Sequence, residues 1–383
     1  MQYRNLCYLS SLILFLLFSC KNKLSYSYEL HSLGVWETPL DTLTSNLSYQ
    51  QRVVRFGDKE FLGMYSVNLH AITLWDLKTK EKKYQIKFNR DGPNGVYRLN
   101  GFYFKSLDSI YVMPTYYKFI ALMNSKGQLL NKYIFSENVK NKAELDKIDF
   151  IGDFNIPMQI VQNKVLLGTT PYENSISPKF GNMPLGFTYD LKTRACNTNF
   201  MGFSDEYKKK TLGYFHSQYY SDLDLTNKNC IVSFSADEKI YLRNIEGNLV
   251  DEYVANSDFF NLDLPIINKS GQAIFENYFL VNPSFGKILA DPFRKVYYRF
   301  AFQKYDNSEK VLTGMMESYK PCSVIILNEK FDKIGETILP LNKHFITNAF
   351  VGKNGLYISN AHPKNPDNDE NKLSFTCYAL EKK

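Results

Sequence analysis

Two groups of polar and aromatic side chains in this sequence have the chemistry to contact a ligand. They are Arg90, Asp91, Asn94 and Tyr97, and further along Arg294, Tyr297, Tyr298 and Arg299. Guanidinium, carboxylate and amide groups supply directional hydrogen bonds, and tyrosine rings supply flat apolar area. For the second group the alternative is structural: Arg294 would bond carbonyls in a turn, and alternate residues of VYYRF would face the core.

No motif for covalent or metal catalysis accompanies these groups. The chain has no G-x-S-x-G, no P-loop and no H-E-x-x-H, and its five histidines are scattered. The segment NPDNDE at 365–370 lacks the spacing and the glycine of a calcium-binding EF-hand, so we interpret it as a solvated hairpin loop. We therefore predict no metal site and no cofactor, and we assign no catalytic residue.

The first 19 residues have the pattern of a secretory signal peptide. Arg4 precedes a short apolar run at 12–18 and a small residue, Ser19. The sequence LFSC at 17–20 resembles a bacterial lipobox, in which Cys20 carries the lipid, including palmitate. We predict a lipidated tether at 20–24 and an outer-membrane lipoprotein, with either side of that membrane open. The alternative is an ordinary signal peptide that happens to contain a cysteine.

Composition predicts an exported globular protein without a nucleic-acid partner. Without the signal peptide the chain has 45 basic and 39 acidic residues, interspersed rather than clustered as on a nucleic-acid-binding surface. Cysteines at positions 196, 230, 322 and 377 follow Cys20, with no C-x-x-C pair. Disulfides could form in an exported protein, but each of these cysteines adjoins a strand-like run, so we expect buried free thiols.

A repeated strand–turn–strand unit predicts the fold. Apolar runs end in Asp76, Asn124, Asp190, Asn244 and Asn328, and each is followed by a polar turn and a second run. Asp and Asn suit this position because their side chains bond backbone N–H groups two residues on. The shortest spacing, from 76 to 124, fits one four-stranded propeller blade of about 40–50 residues. We predict an all-β propeller of six blades over residues 25–383, with seven as the alternative count.

The two ends of the chain are predicted to complete the last blade together. The final unit, KLSFTCYALEKK, stops without its outer strand, whereas SYSYELHSLG at 25–34 has no hairpin partner nearby. Pairing them would close the ring and remove two exposed strand edges.

Gly-Pro-Asn-Gly is predicted to connect blade one to blade two. YQIKF at 84–88 would be an outer strand, YRLNGFYF at 97–104 an inner strand and SIYVMP at 109–114 the strand after it. Pro fixes one φ angle and Gly permits positive φ, as a sharp connector requires. Segments 136–150 and 204–212 are predicted to form short helices. Segment 306–320 is predicted to form a helical flap with Val311, Leu312, Met315 and Met316 on one side; we expect that side to pack on the propeller, and the alternative is that it binds a partner.

The sequence resembles an uncharacterised Bacteroidetes lipoprotein family, the domain of unknown function 4221. The resemblance rests on the lipobox, PLDTLTS at 39–45, DGPNGVYRLNGFYFKSLDSIYV at 91–112 and DPFRKVYYRFAF at 291–302, in that order. It implies a β-propeller-like envelope lipoprotein, and it implies no activity.

Two functions from different classes follow. The first is a non-enzymatic binding or scaffold propeller in the cell envelope, held to the membrane by its lipid, with a protein or a glycan as ligand. The second is a propeller hydrolase or lyase that uses carboxylates converging on the axis, with or without calcium. The absence of a concentrated catalytic set favours the first, because a fold by itself does not decide function.

Overall fold

The computed structural model of the chain describes residues 26–137, 142–198, 200–305 and 311–383. Their strands form six antiparallel sheets that follow one another around a ring, so the chain is a six-bladed β-propeller, as predicted. The predicted signal peptide, Cys20 and its tether lie outside the described residues. Among the described residues, no helix has the length and apolar character needed to cross a membrane.

The strands are numbered in chain order. They are β1 (Tyr28–Pro39), β2 (Gln51–Phe56), β3 (Lys59–Ser66), β4 (Ala71–Asp76), β5 (Lys82–Lys87), β6 (Leu99–Ser106), β7 (Ser109–Pro114), β8 (Phe119–Met123), β9 (Leu129–Ile134), β10 (Asp149–Ile151), β11 (Gln159–Val161), β12 (Lys164–Thr170), β13 (Gly186–Asp190), β14 (Cys196–Asn197), β15 (Tyr219–Leu223), β16 (Asn229–Phe234), β17 (Lys239–Asn244), β18 (Leu249–Val254), β19 (Ser284–Asp291), β20 (Val296–Phe302), β21 (Cys322–Asn328), β22 (Lys333–Ile338), β23 (Phe345–Gly352), β24 (Gly355–Ser359) and β25 (Lys372–Lys382).

Each blade runs from an inner strand at the axis to an outer strand at the rim. Blade one is β2–β5, blade two β6–β9, blade four β15–β18 and blade five β19–β22. In blade three the inner strand is split into β10 and β11, which both pair with β12. The predicted strands on both sides of the connector are confirmed as β5, β6 and β7.

Blade six contains the first and the last of the described strands, as the sequence predicted. Its order is β23, β24, β25 and then β1, which is the outer strand. β1 is antiparallel to β25, with Tyr28 opposite Lys382 and Pro39 opposite Lys372. The ring is therefore closed by backbone hydrogen bonds between the two ends of the chain.

The antiparallel blades give the propeller two faces. On the turn face lie the turns that join the first to the second strand and the third to the fourth strand of each blade. On the connector face lie the other loops and the segments that pass from one blade to the next. The repeated Asp and Asn residues open turns on the turn face, where their Oδ1 atoms accept backbone N–H bonds; Asp76 accepts from Lys78 and Thr79 at 2.8 and 2.9 Å.

The core consists of six apolar clusters, one between each pair of neighbouring blades. Val54, Ile72, Leu99 and Val112 pack blade one on blade two, for example, and Tyr298 belongs to the cluster between blades five and six. Because each blade packs both of its faces against neighbours, middle strands such as β4 and β7 are buried along nearly their whole length, whereas outer strands such as β9 and β18 are exposed or half-buried. Three of the predicted free thiols are buried in these blades, and Cys196 is half-buried.

The α-helices of the described residues lie in insertions on the connector face. They are α1 (Lys142–Asp146), α2 (Asp205–Lys209), α3 (Gln272–Val281) and α4 (Met316–Tyr319). The first two fall where short helices were predicted, whereas α3 was not predicted. The described part of the predicted flap is a 3₁₀ turn, Thr313–Met315, followed by α4. Its apolar stripe does not pack as one side, because Met316 is buried whereas Leu312 is 52% exposed.

Candidate functional site

An exposed aromatic cluster lies on the connector face beside the blade-one connector. It consists of Tyr97, Tyr116 and Tyr117, which we call the tyrosine surface. The rings of Tyr97 and Tyr117 meet edge to face with their centroids 6.4 Å apart, and Tyr117 also contacts Phe119. Tyr116 is 86% exposed, the largest exposure among the exposed large apolar side chains of the described chain. Its φ of 68° is costly for a bulky residue, and such strain is concentrated at functional sites.

The connector holds its polar side chains beside this surface. Gly92 has a φ of 84°, and the Gly95 N–H donates to the Gly92 carbonyl at 2.9 Å, which makes the segment a tight turn. The Arg90 Nη2 donates to the carbonyl of Val67 at 2.6 Å. Asp91 and Asn94 are exposed. The structure therefore brings all four predicted residues of the first group together with two tyrosines that the sequence reasoning missed.

A buried histidine fixes the end of this connector. His70 lies between the Tyr65 hydroxyl, 2.7 Å from Nδ1, and the Val96 carbonyl, 2.7 Å from Nε2. Burial lowers the pKa of His70, which keeps the ring neutral at pH 7. Since Val96 precedes Tyr97, this pair of hydrogen bonds fixes the backbone from which the exposed Tyr97 side chain extends.

The second predicted group lies at blade five and has partners inside the protein. Arg294 is on the turn face, where Nε donates to the Asp291 carboxylate at 2.6 Å and the two terminal nitrogens donate to the carbonyls of Gly352 and Lys353. These contacts match the structural alternative stated for Arg294 from the sequence, in which it bonds carbonyls in a turn. Tyr297 and Tyr298 are buried. The two predicted groups are therefore on opposite faces and do not form one site.

Arg299 connects blade five to blade four. It is fully buried, it donates to Ser233 Oγ at 3.0 Å, and its terminal nitrogens donate to five backbone carbonyls of residues 234–255. Its guanidinium also lies 3.8 Å from the centroid of the Phe285 ring. Burial lowers the pKa of Arg299 to about 9. All of these contacts are within the protein.

A central channel of about 370 Å³ follows the axis and opens on the turn face. Residues of the inner strands line it, together with the turn residues Leu225 and Pro292, which place its mouth on that face. Towards the connector face Phe154 contacts Tyr49, with ring centroids 5.6 Å apart, and Asn348 Nδ2 donates to the Ser48 carbonyl at 2.6 Å.

The charged side chains of the channel hold neighbouring inner strands together. Arg52 donates to the carbonyls of Phe102 and Met158 at 2.7 and 2.8 Å. Lys287 donates to the carbonyls of Thr347 and Ala349 at 3.3 and 2.9 Å. The Asp222 carboxylate accepts the N–H of Ala290 at 3.0 Å. These residues satisfy backbone groups that inner strands leave unpaired at the axis.

The channel electrostatics follow from this burial. Desolvation lowers the pKa of Lys287 to about 8, although Asp222 and Asp153 favour its charged form. Desolvation also raises the pKa values of Asp222 and Asp153. No group of three or more His, Cys, Asp or Glu side chains suited to a metal ion exists among the described residues. In the loop at 365–370 the Asp367 N–H donates to Asn365 Oδ1 at 3.1 Å, and Asn365 Nδ2 donates to the carbonyl of Asn360 at 2.7 Å.

Comparisons with known proteins identify similar sequences and folds. The family model described as "Domain of unknown function (DUF4221)" matches residues 27–338. A crystal structure of a member of that family from Bacteroides vulgatus ATCC 8482 is 23% identical, with a TM-score of 0.80 over 94% of this chain and 99% of that one. A crystal structure of a protein described as exported, from Bacteroides fragilis NCTC 9343, is 11% identical, with a TM-score of 0.50 over 93% of this chain and 95% of that one. The curated proteins contain no match to the chain.

Proposed function

The chain belongs to the DUF4221 family of β-propellers, and from that premise we propose that it is a non-enzymatic binding lipoprotein of the cell envelope. In this proposal the lipid on Cys20 holds the protein on the outer membrane, and the tyrosine surface binds a partner protein. The single observation that carries the binding role is the strained, 86% exposed Tyr116 beside Tyr97 and Tyr117.

The composition of the surface supports a protein partner. Tyr and Arg are enriched in the energetically important centres of protein interfaces, since a rigid ring loses little entropy when it binds. Arg90 and Arg98 are exposed beside the tyrosines, against one exposed acidic neighbour on the connector, Asp91. A partner with an acidic or neutral polar surface fits this charge. A glycan is the other ligand class, because tyrosine rings also pack on flat apolar area.

A photo-crosslinking experiment tests the site. A photoreactive phenylalanine derivative replaces Tyr116 in cells, with a matched derivative at Tyr172, which is 54% exposed elsewhere. We expect a discrete protein adduct from position 116 and none from position 172. With the purified partner, Tyr97→Ala/Tyr116→Ala should weaken binding at least thirtyfold, the size of one interface hot spot of about 2 kcal/mol. Tyr172→Ala/Tyr214→Ala is the matched control.

Two results would count against the protein partner. An adduct that is sensitive to glycosidase and resistant to protease would assign the surface to a glycan. Equal adducts from positions 116 and 172 would remove the tyrosine surface from the proposal. Anchoring is tested separately by metabolic labelling with an alkyne palmitate and by membrane fractionation, with Cys20→Ser as the control that should lose both the label and the outer-membrane position.

The second candidate function is a hydrolase or lyase at the axis. It is favoured by the buried carboxyls of Asp153 and Asp222, whose pKa values burial raises, near Lys287 in the channel. Both Asp222 oxygens already accept backbone N–H groups, from Leu223 and Ala290, which favours a bracing role over catalysis. Hydrolysis of an envelope glycan, lactone or peptide that disappears in Asp222→Asn and Asp153→Asn, with folding intact, would favour the enzyme over the binding protein.

A further inference from the structure

The chain enters the propeller on its turn face. β1 begins there, because Tyr28 pairs with Lys382 at the end of β25, and the Lys383 N–H donates to the Ser27 carbonyl at 2.9 Å. The ring of Tyr26 lies 5.1 Å from the Nζ of Lys333, which follows a turn of blade five. Cys20 precedes Tyr26 by six residues, a length of chain that spans at most about 20 Å. A lipid on Cys20 would therefore hold the turn face, rather than the connector face, close to the bilayer.

The two faces differ in the balance of their exposed charges, and the larger basic excess is on the turn face. Between the strands, the eleven turns of the turn face carry ten basic and seven acidic residues; the carboxylates of Asp76, Asp190 and Asp291, at the strand ends, are buried or half-buried and cap the turns. In the loops and connectors of the other face, ten basic and nine acidic side chains are exposed among those the structure describes. Arg294 and Asp224 are bonded internally, and without them the turns still present nine exposed basic and six exposed acidic side chains. The basic residues of the turns are Lys78, Lys80, Lys126, Lys192, Arg194, Lys228, Arg294, Lys295, Lys330 and Lys353.

We propose that the turn face is a membrane-contacting surface whose lysines bind anionic phospholipid headgroups. This inference rests on the proposed anchor for its orientation, but the surface itself is defined by the folded turns. Each lysine near an anionic membrane strengthens binding about fivefold, and one acyl chain alone binds only marginally, so several basic turns add materially to a lipid anchor. The arrangement turns the mouth of the central channel towards the bilayer and the tyrosine surface away from it.

Vesicle binding tests the surface without the lipid. The protein is the chain from residue 20 onward with Cys20→Ser, mixed with phosphatidylcholine vesicles that contain about 30% phosphatidylglycerol or none. The test variant is Lys78→Glu/Lys192→Glu/Lys330→Glu, one exposed lysine from each of three blades. The matched control is Lys142→Glu/Lys179→Glu/Lys269→Glu, three exposed lysines of the connector face. Both variants change the net charge equally.

We expect binding to the anionic vesicles that weakens as salt is raised, and little binding to the neutral ones. The turn-face variant should lower the partition coefficient by about a hundredfold, and the connector-face variant should leave it within about threefold. Equal losses in the two variants, or equal binding to both kinds of vesicle, would overturn the proposal. Circular dichroism shows whether each triple variant is folded. A triple variant that is not folded is replaced by variants with a single Lys→Glu substitution.

Orientation is tested on the acylated protein in the same vesicles. Lysine acetylation read by mass spectrometry should be suppressed at Lys78, Lys192 and Lys330 relative to the free protein, and unchanged at Lys179 and Lys269. Protection on the connector face would overturn the inference. Failure of Cys20 to take up palmitate would count against the proposed anchor alone, because vesicle binding by the Cys20→Ser chain does not depend on it.

Discussion

Replacing Arg299 should weaken the packing of blade five on blade four and so lower the free energy of unfolding. In Arg299→Met the six hydrogen bonds of the guanidinium are lost. Two of the acceptors, the carbonyls of Asp237 and Ala255, belong to residues outside the strands, where no ladder bond replaces the lost one. Each buried carbonyl left without a donor costs about 1–3 kcal/mol, and relief from burying a charge offsets part of that cost. We expect a loss of about 4 kcal/mol in the free energy of unfolding.

The measurement is urea unfolding, followed both by circular dichroism of the sheets and by fluorescence of Trp36 and Trp75. Arg299→Lys keeps a charge but has three donors, so it should lose about 2–3 kcal/mol. Arg194→Met is the control, because its exposed pair with Glu137 is worth at most about 1 kcal/mol. If Arg299→Met loses less than about 1 kcal/mol, or is stabilised as some buried charges are when replaced, the bracing role assigned to Arg299 is wrong.

Three further predictions concern acid stability and two turns. Burial lowers the pKa of His216 to about 3 and that of His344 to about 4, whereas the pKa of both is 6.5 in the unfolded chain. Because the unfolded chain therefore binds protons at a higher pH than the folded chain, the free energy of unfolding falls as the pH drops below 6.5. By pH 5 the two histidines should together lose about 4 kcal/mol, and a urea–pH series in which His216→Gln/His344→Gln shows the same slope as the parent would contradict this. Gly247→Ala should cost more than about 3 kcal/mol, because its φ is 88° and a Cβ would lie 1.3 Å from the Phe200 carbonyl oxygen, whereas Gly57→Ala, with open space around it, should cost about 1–2 kcal/mol. Comparable urea midpoints for the two alanine variants would refute that argument. Phe331 lies in a turn with a φ of 65°, and its ring stacks on Tyr253 and Tyr297. Phe331→Ala should lower the free energy of unfolding by about 3 kcal/mol, and Phe331→Gly by about 1 kcal/mol less, because glycine adopts this φ without strain. A lower melting temperature for the glycine variant than for the alanine variant would show that strain at this φ is negligible.

The fold was accessible from the sequence because its signals are local. Asp76 and Asn124 recur at the same place in successive blades, since each must cap a turn with its own side chain. The unpaired strand-like run at 25–34 could be matched to the last blade because closure of a ring leaves one specific gap. α3 was missed because it is a single insertion, with the apolar residues of QAIFENYFLV on more than one side, so no repeat and no clear helical stripe identifies it.

The candidate sites were only partly accessible. The connector residues Arg90 to Tyr97 were predicted because glycine and proline identify a rigid turn in one short segment. Tyr116 and Tyr117 had a weaker signal, an aromatic pair in the polar turn between two strands. The channel residues had none, because Arg52, Asp222 and Lys287 are far apart in the chain and meet only through the ring. Tyr297, Tyr298 and Arg299 show that polar side chains in a strand can be buried in the protein instead of facing a ligand.

The closing strand β1 also determines when this protein can finish folding. Its Leu30 N–H bonds to Thr337 Oγ1, 307 residues away in the sequence, and its ladder partner β25 comes last in chain order among the described strands. During synthesis β1 must therefore remain unpaired until β25 has been made. In that interval blade six, which packs against blades one and five, is incomplete. The unpaired edges of β1 and β24 can then pair with other chains. Loss of the last dozen residues would thus leave an open, association-prone arc rather than a slightly smaller propeller.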